Sequence, residues 1–146
     1  MNIYIPSFEN NGKIPVKFTC DGENVNPEIL IEDVPKGTKS LVLMVDDPDS
    51  PGGNWSHWLI WNIHPDVKVI KENSTPAGSV TGLNDFGERE YGGPCPSKGE
   101  HRYFFKIFAL NKILDLSDDH RREEAIKAMN GAVLDKSEFV GRYSRV

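Results

Sequence analysis

The stretch Met44-Val45-Asp46-Asp47-Pro48-Asp49-Ser50-Pro51-Gly52-Gly53-Asn54-Trp55-Ser56-His57-Trp58 decides how this chain reads. An apolar run, Leu41 to Val45, passes directly into three acids and two prolines. Two glycines follow, and a second apolar run then opens with a histidine. Consecutive apolar residues bounded by turn signals indicate a strand buried on both faces. Polar and conformationally restricted residues between two such strands indicate a loop that is used for something. A second stretch, Tyr91-Gly92-Gly93-Pro94-Cys95-Pro96-Ser97-Lys98-Gly99-Glu100-His101-Arg102-Tyr103, has the same character. The two read as opposite walls of one pocket.

Alternate residues of a strand share a face. Leu41, Leu43, Val45 and Asp47 form one such row, and Trp55, His57, Leu59 and Trp61 a second. His101, Tyr103, Phe105, Ile107 and Ala109 form a third. Each row is apolar with polar residues at one end. Side by side, the rows would gather Asp47, His57, His101 and Tyr103 at one end of a sheet, above a core.

The rest of the chain sets the frame. Its 146 residues suit one domain, spanning 1–146, that can bury a core. Gly and Pro number 13 and 10, an excess that favours a turn-rich β protein. Net charge is −5 and no basic stripe is interleaved with aromatics, which argues against nucleic acid and an anionic membrane surface. No apolar run approaches the length of a membrane span. The N-terminus lacks a basic and then apolar leader, so a cytoplasmic setting is expected. Cys20 and Cys95 do not make a secreted framework, and free thiols are expected.

In chain order, residues 1 to 8 suggest an edge strand broken by Pro6, and Val16 to Cys20 an alternating strand. Pro27 to Ile31, Ser40 to Asp46, His57 to Ile63 and Arg102 to Leu110 follow as strands. Pro65 to Gly87 reads as loop with one or two short strands. One helix is indicated, capped at Ser117 or Asp118 and stopped by Gly131 after Asn130. Lys136 to Val140 reads as a turn or a short strand. The pattern predicts a mainly β fold, a sandwich with one helix near the C-terminus.

Three chemistries fit the gathered residues. Protonated histidine, the Tyr103 hydroxyl and the Gly92 and Gly93 amides could hold an anion, with glycine permitting close approach. Asp47, His57 and His101 could form a facial metal triad for a hydrolase. A histidine base with an orienting carboxylate could serve a hydrolase without metal. No Ser or Cys has a nucleophile's context, and the histidines lack close metal-ligand spacing. The anion reading fits best and calls for no cofactor and no enzymatic role.

Asp47-Pro48-Asp49-Ser50-Pro51 followed by His57, and Gly92-Gly93-Pro94-Cys95-Pro96 followed by His101-Arg102-Tyr103, resemble the two motifs of the phosphatidylethanolamine-binding protein family. That family includes the Raf kinase inhibitor protein. Cys20 to Pro27, Trp58 to Ile63 and Gly141-Arg142-Tyr143 extend the likeness to its short bacterial and archaeal branch. The resemblance implies two antiparallel sheets and an anion-accepting cavity. The cavity would be lined by Asp47, Asp49, Pro51, Trp55, His57, Gly93, Pro94, His101 and Tyr103. It also implies a phosphate, phosphorylated head-group or carboxylate ligand, and a protease or kinase as protein partner. A monomer or homodimer is expected.

One further expectation concerns the first motif. A sharp turn must keep Asp47 and His57 on one pocket, which suggests a cis bond at Ser50-Pro51. The resemblance adds a second cis bond near Asn54-Trp55.

Overall fold

The computed structural model describes residues 1–145. Two sheets and one helix make up the fold. The small sheet holds β1 (Asn2–Tyr4), β3 (Ile29–Glu32) and β6 (Val69–Ile70), antiparallel in the order β1-β3-β6. The large sheet adds β2 (Gly12–Lys13), β4 (Ser40–Asp47), β5 (Trp55–Ile63), β7 (Val80–Thr81), β8 (Glu100–Leu110) and β9 (Val133–Ser144). Its order is β2-β9-β8-β4-β5-β7, antiparallel except for the short parallel pair of β2 and β9. The mainly β, two-sheet architecture matches the sequence reading.

The strand β4 lies at the centre because its sequence allows nothing else. Every one of its residues is buried. Leu41, Leu43 and Val45 face the small sheet, packing with Phe105 and Ile107 of the neighbouring β8 against Ile29 and Ile31. Val42 and Met44 face the other way, onto Leu59, Trp61, Ala125 and Met129 beneath α1 (Arg122–Met129). A strand flanked by strands and covered on both faces must read as a continuous apolar run. Asp46 shares the helix-side face and is 1% exposed, held by Arg122 Nε at 3.0 Å and Lys106 Nζ at 3.4 Å. This charge cluster ties α1 to the sheet.

Four local expectations are corrected. Val16 to Phe18 forms a single 3-10 turn and not a strand, closed by the Thr19 amide and hydroxyl on the Val16 carbonyl. The helix is shorter than expected: Arg121, with extended backbone, precedes its first turn, and the Glu124 carboxylate accepts the Arg121 amide. Ser117 and Asp118 lie before it. The last strand is longer, running the length of β8 in antiparallel register from Val133 to Ser144. Every peptide bond among the described residues is trans, including those before Pro51 and Trp55. The reversal is made by Gly52 and Gly53, at φ +85° and +116°, with the Gly53 amide donating to the Ser50 carbonyl.

The thiols are not free. Cys20 and Cys95 are joined by a disulfide across 75 residues, with Cα atoms 5.4 Å apart. The 3-10 turn delivers Cys20 to the second motif, where its amide donates to the Pro94 carbonyl at 3.1 Å. That contact sets the two Cα atoms at an ordinary disulfide separation. The bond removes the support that free thiols lent to a cytoplasmic setting. No helix among the described residues is long and apolar enough to cross a membrane.

Candidate functional site

At one end of the large sheet, β4 finishes at Asp47 while β5 and β8 begin near His57 and His101. The ends of these three adjacent strands, with the loops after β4 and before β8, enclose a cavity of about 190 Å³. Asp47, Pro51, Trp55, His57, His101 and Tyr103 all line it, as expected.

His57 arrives there by a route that strict alternation does not give. Val45 pairs with Trp58 and Asp46 pairs with Ser56, so His57 is an extra residue with no partner on β4. Leu59 and Trp61, which alternation puts on the face of His57, pack on the helix side. Trp58 and Ile60 instead share the inter-sheet face with Tyr103. A β-bulge of this kind re-aims a side chain, and bulges are frequent beside functional sites.

Asp47 and His101 form a buried pair, 3% and 6% exposed, with Nδ1 donating to Oδ2 at 2.7 Å. The other carboxylate oxygen of Asp47 accepts the Asp49 amide at 2.8 Å. His101 Nε2 faces the Lys98 carbonyl at 3.2 Å, so both ring nitrogens look at acceptors. The Asp47 carboxylate and the Lys98 carbonyl hold the His101 ring from both sides. Asp47 and His101 thus meet as acceptor and donor, not as two ligands converging on a common ion. Among the described residues, no group of three or more His, Cys, Asp or Glu is arranged to hold a metal.

His57 is 3% exposed and donates Nδ1–H to the Gly92 carbonyl at 2.6 Å. That bond fixes the tautomer, and Nε2 has no hydrogen bond among the described residues. Burial pushes the His57 pKa below the usual histidine value, against the opposing pull of the Gly92 carbonyl and Asp47. Tyr103 stands between the two histidines. Its ring meets His57 edge-on at 5.2 Å and lies nearly parallel to His101 at 6.4 Å. Its hydroxyl is buried and finds no acceptor among the described residues, while the Cys95 amide approaches its oxygen. Burial, reinforced by Asp47 and Asp49, holds that phenol well above its normal range, so it remains a donor.

Three expected residues are placed differently. Asp49 turns away from the cavity and grips Arg102, taking its amide and Nε on one oxygen and Nη2 on the other at 2.8–2.9 Å. These bonds hold its carboxyl down at about 2. Gly93 and Pro94 lie behind the wall. The Gly93 amide donates to Asn24 Oδ1 at 2.8 Å, and the Gly92 amide to the His57 carbonyl at 3.0 Å. Both glycine donors assigned to an anion are therefore already used. Gly93 is required there for another reason: a Cβ would sit 2.5 Å from the Phe18 carbonyl oxygen.

Sequence reasoning missed Ser50, Phe86, Cys95, Pro96 and Ser97 on the cavity wall. Phe86 is 45% exposed and stands edge-on to both Trp55 and His57 at 5.5 and 5.3 Å. The fully buried Asn84 holds it there, its Oδ1 accepting the Phe86 and Glu88 amides and its Nδ2 donating to the Glu90 carbonyl. A lone aromatic between Asp85 and Gly87 in a polar loop was the available signal.

The family model described as phosphatidylethanolamine-binding protein matches residues 4–144. The chain belongs to the phosphatidylethanolamine-binding protein family. A UPF0098 protein of Methanothermobacter thermautotrophicus is 45% identical over 150 residues, covering 99% of both chains. One from Archaeoglobus fulgidus is 44% identical, and there the chain spans 50% of the relative's length. The crystal structure of CT736 from Chlamydia trachomatis, a phosphatidylethanolamine-binding protein homologue, superposes with a TM-score of 0.95 at 35% identity. That match covers 99% of this chain and 97% of the other. E. coli YbcL, described as a new member of the mammalian family, superposes at 0.93 and 27% identity, covering 99% and 98%.

Proposed function

We propose that this family member is a non-catalytic binding protein whose cavity takes a small anion: phosphate, a phosphorylated head group or a carboxylate. One observation carries the reading. The buried Tyr103 hydroxyl has no acceptor for its proton, and the neighbouring His57 Nε2 has no partner, among the described residues. An unsatisfied buried hydroxyl costs about 1–3 kcal/mol, a cost that a bound acceptor would remove. A ligand oxygen accepting from Tyr103 and from protonated His57 would satisfy both groups. Asp47 does not oppose it, because His101 and the Asp49 amide occupy that carboxylate. The donor set is smaller than the sequence suggested, since the Gly92 and Gly93 amides take no part.

The sign of the pH dependence follows. His57 must gain a proton at Nε2 to donate, because Nδ1–H is committed to Gly92. Burial lowers its pKa in the free protein, and a bound anion raises it by the reciprocal coupling. Binding therefore takes up a proton between the two values, and affinity falls as pH rises from about 6 to 8. Acetate is the cleaner probe, because a phosphate ester changes its own charge near pH 6. Calorimetry with acetate and phosphate across that range tests the reading. His57→Ala should weaken binding by about 1.5–3 kcal/mol and flatten the pH dependence. A variant that binds as tightly, with the parent's pH profile, would place the anion elsewhere.

The rival reading is a protein-level inhibitor of a protease or kinase with this cavity as its docking point. The exposed Phe86 beside Trp55 at the mouth favours it. Capture of a protease or kinase that excess phosphate displaces would support the rival.

A further inference from the structure

We propose that the Cys20–Cys95 disulfide is a thiol-exchange site that controls the cavity, so that its reduction lowers anion affinity. The inference rests on the anion reading for its affinity arm only. Cys95 is exposed and lines the cavity, while Cys20 is half-buried. A thiolate arriving from solvent therefore reaches the Cys95 sulfur first.

The bond matters because of what its segment carries. Between Tyr91 and Gly99 the chain supplies the Gly92 carbonyl, which sets the His57 tautomer, and the Lys98 carbonyl, which faces His101 Nε2. It also supplies Pro96 and Ser97 as wall. The N-terminal half of the segment is tied down without the disulfide. Tyr91 Oη donates to the Phe18 carbonyl, the Gly93 amide to Asn24, and the Cys20 amide to the Pro94 carbonyl. Beyond Pro94 no such tie to residues 18–24 is seen among the described residues, and Cys95 is the last anchor before β8 resumes at Glu100. Ser97, Lys98 and Gly99 are exposed. Opening the bond frees the stretch that bears the Lys98 carbonyl and the Pro96–Ser97 wall, while the Gly92 contact keeps its other supports.

The exchange is balanced by a dithiol reductant. Its thiolate attacks Cys95 Sγ, forming a mixed disulfide and breaking the Cys20–Cys95 bond, and Cys20 leaves as a thiolate that takes a proton. The reductant's second thiol then attacks the mixed disulfide and releases Cys95 as a thiol. Two electrons pass from the dithiol to the protein. Exchange of this kind depends on which sulfur is open to attack.

The asymmetry yields a specific expectation. Reduction should move the ring resonances of His101 more than those of His57, because only the Lys98 contact lies beyond the last remaining tie. The test uses the whole folded chain, oxidised and treated with dithiothreitol, followed by histidine ring nitrogen NMR, a melting curve and phosphate titration. The expected result is reduction without unfolding, a shift of His101 larger than that of His57, and phosphate affinity weaker by about fivefold or more. Cys95→Ser should reproduce the reduced state without reductant, and Cys20→Ser serves as a second variant should the first fold poorly. Two results would overturn the proposal: a bond that dithiothreitol opens only as the protein unfolds, or a reduced protein that binds phosphate as tightly as the oxidised one. If the His101 resonances move but neither form binds phosphate, the exchange site stands and the anion reading fails.

Discussion

Tyr103→Phe separates a ligand-binding hydroxyl from a structural one, because the two roles give opposite signs. In the free protein the hydroxyl is buried, its residue being 0% exposed, and it finds no acceptor among the described residues. Leaving such a group unsatisfied costs about 1–3 kcal/mol, and phenylalanine has the same ring without it. The variant should therefore be as stable as the parent or more so, by up to about 2 kcal/mol. For a domain of this size that corresponds to about 2–4 °C in melting temperature per kcal/mol. With phosphate the sign reverses. A hydrogen bond to a charged acceptor contributes about 1.5–3 kcal/mol, so the variant should bind phosphate about tenfold to a hundredfold more weakly. Ligand stabilises by mass action, so the two melting curves should approach or cross as phosphate is raised. Scanning calorimetry with and without phosphate, alongside titration calorimetry at pH 6, reads both quantities. A variant that melts lower than the parent and binds phosphate equally well would refute the reasoning. It would mean that the hydroxyl serves an ordered water or the packing, and that no anion sits against it.

Two further outcomes follow from the packing. Gly93→Ala places a Cβ 2.4 Å from Asn24 Oδ1 and 2.5 Å from the Phe18 carbonyl oxygen. It should cost about 1–3 kcal/mol by urea denaturation, with phosphate binding weakened as the wall is displaced, and unchanged stability would show that the contact relaxes freely. Arg122→Met removes the closer partner of the buried Asp46, leaving only Lys106 at 3.4 Å. A loss of about 3 kcal/mol, with early amide exchange in α1, is expected, and an unchanged melting temperature would mean the pair does not hold the helix.

How much of this was legible depended on how local each cause was. β4, β5 and β8 announce themselves because strands covered on both faces carry unbroken apolar runs. β9 did not, because Lys136, Glu138 and Arg142 interrupt it and its order comes from pairing with β8 along its whole length. Val16 to Cys20 alternates correctly for a strand, yet the Thr19 contacts to Val16 close a turn that hydrophobic alternation does not encode. In the site, Asp47, His101 and Tyr103 were found by alternation, since β4 and β8 pair without a shift between Ser40 and Asp46. His57 reached the expected place through an extra residue that alternation cannot register. The fates of Gly93 and Cys95 were out of reach, because their partners lie 69 and 75 residues away.

The cavity sits at the ends of three adjacent strands in the middle of the large sheet, and its mouth is made by loops. Floor and mouth can therefore change separately. Asp47 and His101 are fixed by the strand ladders, and His57 by the bulge in β5 and its bonds to Gly92, all in a buried region where local opening is least frequent. Residues 48–54, 85–87 and 95–99 are surface turns, and lengthening such a turn costs only about 0.6 kcal/mol per doubling. A graft at any one of them could recast what the protein admits while the chemistry beneath stays in register. The same donor floor can then serve bare phosphate under one set of loops and the end of a larger molecule under another.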